Sequence, residues 1–132
     1  MTVMGNPTGL WPAFTFHDAD KMTQWLQAIG FTPLRIIRSD GDSNAVVHAE
    51  LLWPAGGGIM YGQHSPDMTL DGSPGHASTY LVTEDVADVL QSAVDSGAEM
   101  VENVVEKDYG GQSATVRDAE GNLWTFGQYQ PR

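Results

Sequence analysis

The chain has 132 residues, 41% of them hydrophobic, no cysteine, and six Lys and Arg against seventeen Asp and Glu, a formal net charge of -11. This composition suits one globular domain, or two half-domains sharing a core. It excludes a disulfide scaffold, a thiolate zinc site and a cysteine nucleophile, and it leaves no basic footprint for nucleic acid or an anionic membrane.

Trp11-Pro-Ala-Phe-Thr-Phe-His17 is short, aromatic and alternating, which predicts a strand with Pro12 tolerated near its start. Asp18 suits a helix N-cap. Met22, Trp25, Leu26 and Ile29 then fall at i, i+3, i+4 and i+7, one apolar stripe of a helix that Gly30 closes. A strand over 31–38, a turn over 39–44, a strand over 45–53, a turn over 54–57 and a short strand over 58–62 complete this half. The turn segment Asp40-Gly-Asp42-Ser-Asn44 begins like a calcium loop, but its sixth place is Ala45 and its twelfth is Leu51, so it is not one. Gly56-Gly57-Gly58 lacks the Gly-Lys-Ser/Thr of a phosphate loop and reads as a hairpin turn.

A polar linker over 63–75 follows, and the order repeats. A strand is expected over 76–83, then an N-cap at Asp85, with Val86, Val89, Leu90, Ala93 and Val94 at helical spacing and Gly97 at the end. Strands over 99–106, 113–117 and 122–127 are separated by turns at Tyr109-Gly110-Gly111 and 118–121. Asp18 and Asp85, Gln24 and Gln91, and Gly30 and Gly97 are each 67 residues apart. One βαβββ unit is therefore used twice, over 11–62 and 76–129, within a single domain of 1–132. The expected fold class is α+β: two curved mixed sheets meeting edge to edge around a concave cup, helices outside.

Alternation sorts the strands into two faces. Phe14 with Phe16, Trp124 with Phe126, and Val47 with Ala49, Leu51 and Trp53 are apolar sets that suit a helix-covered core. The mixed set of Trp11, Thr15, His48, Glu50, Tyr61, Ser78, Tyr80 and Thr125 then faces the cup, with Tyr109 leaning over its mouth. Trp11, Tyr61 and Tyr80 offer flat faces for a planar or cationic ligand. Ser78 and Thr125 offer hydroxyls. Glu50 offers a negative charge, with His48 beside it or with Arg35 or Arg117 as a structural partner.

This organisation resembles the vicinal-oxygen-chelate superfamily, the glyoxalase, bleomycin-resistance and dioxygenase family. Val47-His-Ala-Glu-Leu51 is similar to the third strand of its first unit. Arg117-Asp-Ala-Glu-Gly-Asn-Leu-Trp-Thr-Phe-Gly127 is similar to its closing stretch, with Ala119 where proline is usual. The resemblance implies the fold and a homodimer, but no single reaction. Metal enzymes of the family place His, Glu or Gln inward from the first and last strands of each unit. Carried over by register, those positions fall near Trp11, Tyr61, Ser78 and Thr125, and a two-residue slip reaches Ala13, Ile59, Tyr80 and Leu123; only His76 offers a ligand.

The expectation is therefore no metal and no cofactor. The chain reads as a metal-independent small-molecule binding protein resembling the drug-sequestering members, taking an aromatic or cationic ligand. Two other readings stand beside it: a lyase, isomerase or dioxygenase using Glu50 and His48, either metal-dependent with displaced ligands (His48, Glu50, His17 and His76 the candidates) or a metal-free acid–base catalyst, and a dimerising accessory domain. No apolar run approaches about 18 residues, so no membrane span is expected. The first ten residues carry no signal-peptide pattern, and a cytoplasmic location is expected.

Overall fold

The computed structural model describes residues 8–41, 43–67 and 74–132. Asp42 of the first hairpin turn and 68–73 of the expected linker lie outside the described residues. The elements are β1 (Ala13–Phe16), α1 (Ala19–Ile29), β2 (Thr32–Arg38), β3 (Val46–Leu52), β4 (Gly58–Gln63), β5 (Ser78–Val82), α2 (Val86–Asp95), β6 (Glu99–Glu106), β7 (Gln112–Arg117) and β8 (Leu123–Gly127). They form two four-stranded sheets, ordered β1-β4-β3-β2 and β5-β8-β7-β6. In each sheet the first strand of the module runs parallel to the last, and the remaining pairs are antiparallel. The fold is α+β with a repeated module, as the sequence predicts. No helix among the described residues is long and apolar enough to cross a membrane.

The repeat extends to one irregularity in each sheet. Pro33 pairs with Leu51 and Arg35 with Glu50, so Leu34 is an extra residue on β2. Met100 pairs with Val116 and Glu102 with Thr115, so Val101 is an extra residue on β6. Leu34 and Val101 are again 67 positions apart. Both bulged side chains turn outward, 58% and 48% exposed, on strands that are exposed along nearly their whole length.

A bulge on β3 corrects one expectation. Ile37 pairs with His48 but Arg38 with Val46, which makes Val47 the extra residue of β3. Val46 and Ala49 are buried and Val47 is exposed, so Val47 does not join the core face with Ala49 and Leu51. Gly62 sits beside this bulge, where a Cβ would collide with the Val47 carbonyl.

Helix α1 buries Ala19, Met22, Thr23, Trp25, Leu26 and Ile29, the expected stripe and its neighbours. The Asp18 carboxylate accepts the Lys21 N–H at 3.0 Å and caps it. Helix α2 buries Val86, Leu90 and Ala93, while Val94 lies exposed. Asp85 holds the N-cap position of α2 without a side-chain cap bond; its own N–H goes to the Thr83 hydroxyl.

The two modules meet in one core. The Trp124 ring of β8 lies 5.4 Å from Phe14, 5.7 Å from Trp25 and 6.1 Å from Phe31, all of the first module. The indole of Trp25 donates to the Ala93 carbonyl at 3.1 Å, and that of Trp53 to the Val82 carbonyl at 2.8 Å. Among the described residues no ladder joins the two sheets; they are held together by these side chains.

One buried carboxylate organises the closing stretch. Asp118 is 5% exposed. One of its carboxylate oxygens accepts the N–H groups of Glu120 and Asn122, and the other accepts the Asn122 amide and the Trp124 indole, at 2.8 to 3.1 Å. The Glu120 carboxylate reaches the first module and accepts the N–H groups of His17 and Asp18 at 2.7 and 2.8 Å. Asn122 accepts the Ala77 N–H at 3.0 Å. The turn thus positions β5, the start of α1 and the central tryptophan together.

Candidate functional site

Each sheet has one face in the common core and one open face, and the expected site residues divide between the two open faces. On the first sheet, Thr15, Gly62, Met60, Glu50 and His48 share a face by register and alternation. His48 Nε2 and Glu50 Oε2 are 2.8 Å apart, with side chains 37% and 26% exposed. Glu50 thus takes its neighbour two residues back as partner, while Arg117 pairs with Glu99. The Thr15 hydroxyl is buried with no hydrogen-bond partner among the described residues. Trp11 precedes β1. Its ring lies against Gly58 and its indole donates to the Thr8 carbonyl at 3.0 Å.

Tyr61 is not on this face. It is in register with Phe14 and Ala49, on the helix side, and is 2% exposed. Its hydroxyl bonds the Thr23 hydroxyl of α1, and burial pushes its pKa up. The expectation that Tyr61 lines the cup is therefore corrected, because the parallel pairing of β1 with β4 assigns it to the core.

On the second sheet, Ser78 and Tyr80 of β5, Thr125 of β8 and Thr115 of β7 share the open face. The hydroxyls of Thr115 and Thr125 are 2.9 Å apart. Tyr80 is 37% exposed, and its hydroxyl donates to the Tyr129 carbonyl at 2.8 Å. Partial burial raises the Tyr80 pKa, and the nearby Tyr109 adds to the rise. Tyr109 packs edge-on against Tyr129, and these rings with Tyr80 and Pro131 line a cavity of 440 Å³. A neighbouring cavity of 610 Å³ shares Tyr109 and Tyr129 and adds Glu84, Gln128 and Arg132.

The four histidines do not converge. His17 packs edge-on against His64 at 5.1 Å, His48 pairs with Glu50, and His76 is exposed. Among the described residues no group of three or more His, Asp or Glu side chains is arranged to hold a metal ion.

No protein-family model matches the sequence, and no curated protein matches it. Solved structures do. TioX from Micromonospora sp. ML1 is 24% identical, with a TM-score of 0.74 over 94% of this chain and 100% of that one. A glyoxalase family protein from Bacillus cereus is 18% identical, with a TM-score of 0.69 over 96% and 97%. A bleomycin-binding protein complexed with bleomycin is 16% identical, with a TM-score of 0.60 over 94% and 100%.

The chain has the vicinal-oxygen-chelate fold.

Within that fold, sequence reasoning missed two residues of the open face. Thr115 is legible in the alternation of its strand. Tyr129 lies beyond the last strand, and no local pattern marks it; the hydrogen bond from Tyr80 across 49 residues and the ring of Tyr109 bring it to the site.

Proposed function

We propose that the chain is a metal-independent binding protein for a small aromatic or cationic molecule, acting as a cytoplasmic homodimer. The observation that carries this reading is the open face of the second sheet. Ser78, Tyr80, Thr115 and Thr125 present hydroxyls and an aromatic ring together, and Tyr109 joins them at one end. Such a surface binds through ring contact and oriented hydrogen bonds, with no chemical step. The net charge of -11 favours the approach of cations. A neighbour of the same fold was solved with bleomycin bound.

The dimer is supported by the edge strands β2 and β6. Leu34, Ile36 and Ile37 of β2 and Met100, Val101 and Val105 of β6 are all exposed. Strands that leave apolar side chains and a free edge in water are normally covered.

The test is a melting-temperature screen with aromatic and cationic antibiotics. A true ligand at about 100 times its Kd stabilises by about 2.7 kcal/mol, a rise of several degrees. A screen in which no compound raises the melting temperature overturns the reading.

One observation favours a second reading. His48 and Glu50 are within proton-transfer distance at a half-buried position. This arrangement supports acid–base catalysis in the cup, and Glu50→Gln would then abolish turnover of a bound compound while leaving its affinity.

A further inference from the structure

Three tyrosines gather where β5, the β6–β7 turn and the segment after β8 meet. Tyr80, Tyr109 and Tyr129 are 37%, 56% and 43% exposed, so their rings contribute little to the core. The rings of Tyr109 and Tyr129 stand at 77° with centroids 5.2 Å apart. The hydroxyl of Tyr80 is committed to the Tyr129 carbonyl at 2.8 Å, which holds that ring in place beside them. Pro131 completes the lining of the 440 Å³ cavity, and no Lys or Arg takes part in it.

A flat aromatic ligand stacks on one plane. Rings that meet nearly at right angles instead form a corner, which suits a rounded group touching several rings at once. Each ring face carries negative charge density and attracts a cation, most strongly one with a weakly held hydration shell. The 440 Å³ cavity has no positive lining group of its own; Arg132 lines the adjoining cavity with Tyr109 and Tyr129, where Glu84 sets an opposite charge, and the chain as a whole is acidic.

We propose that the Tyr80–Tyr109–Tyr129 corner binds a quaternary or N-methylated ammonium group. This deepens the binding reading above and rests on it: the corner would take the cationic end of the ligand.

The test is a titration of the full chain with choline and, separately, with its uncharged isostere 3,3-dimethylbutan-1-ol, following tyrosine ring, histidine ring and threonine methyl signals by NMR. Choline is expected to shift all three tyrosines saturably and to bind at least about fivefold more tightly than the alcohol. Tyr109→Leu and Tyr129→Leu are each expected to weaken choline by about three- to fivefold. Tyr80→Phe, which keeps the ring and loses the tether, should weaken it less. Equal binding of choline and the alcohol would overturn the proposal, as would choline shifts confined to the face of Thr15 and His48.

The two readings fail separately. Antibiotics that raise the melting temperature while choline leaves the tyrosines unmoved would remove the corner and keep the binding protein. Choline bound at the corner with no response to any antibiotic would keep the corner and a cationic ligand, and remove the aromatic antibiotics as the ligand class.

Discussion

The hydroxyl of Tyr80 occupies the space that a Cβ on residue 127 would need, so the tyrosine keeps its position because residue 127 is glycine. Tyr80 is in register with Thr125, and its ring leans along β8 over Gly127 to reach the Tyr129 carbonyl. Gly127→Ala should push the ring away and break that bond, at a cost of about 1–3 kcal/mol in stability. The penalty should largely vanish in a Tyr80→Ala background, which a double-mutant cycle of urea midpoints measures.

Asp118 is the most heavily used carboxylate among the described residues, accepting four hydrogen bonds in the turn before β8. Asp118→Ala would leave the Trp124 indole and the Asn122 amide unpaired next to the core. A loss of roughly 3–5 kcal/mol is expected. Asp118→Asn should lie between wild type and Ala, because an amide presents one acceptor oxygen where the carboxylate presents two. Chemical denaturation of the three proteins gives the ranking; an Ala variant as stable as wild type would refute this account of the closing stretch.

Tyr61 makes the alkaline limb of stability informative. Burial raises its pKa above the ordinary 10.0. Below about pH 10 both states keep the proton, and its contribution is fully present. Above that, the unfolded chain releases the proton and the folded chain retains it, so stability falls as pH rises through the folded pKa. Tyr61→Phe should flatten this fall. At neutral pH it should cost only about 1 kcal/mol, since Thr23 keeps its hydrogen bond to the Ala19 carbonyl. Tyr80 titrates in the same direction, so the difference between wild type and Tyr61→Phe, measured by urea unfolding from pH 8 to 11, isolates Tyr61.

Leu34 and Val101 are the paired bulges that place apolar side chains in water on the edge strands β2 and β6. If these strands meet a second copy, Leu34→Glu and Val101→Glu should each weaken self-association at least about tenfold, the scale of losing one buried aliphatic contact. The melting temperature of the dissociated protomer should barely move, because neither side chain packs in the core. Sedimentation velocity checks both points, and a wild-type protein that is monomeric at all concentrations ends the dimer proposal.

Local features were readable from the chain alone. Helix stripes, caps, the glycines that close the helices and the 67-residue repeat all depend on contacts within a few residues, or on comparing one half with the other. They determined the two modules and most strand positions. The closing stretch was legible as a motif, though its role in tying the two modules together was not. What the tertiary structure decided was sidedness and convergence. Val47 turned outward because one inserted residue reverses the parity of a strand, and nothing local marks the insertion. Tyr61 went to the core because its parallel partner β1, far away in sequence, fixes which face it shares. Tyr129 joined Tyr80 and Tyr109 because chain segments 20 and 49 residues away fold back beside it. Side-chain period is a property of one strand; the face it serves is set by pairing with others, and that pairing exists only once the chain has folded.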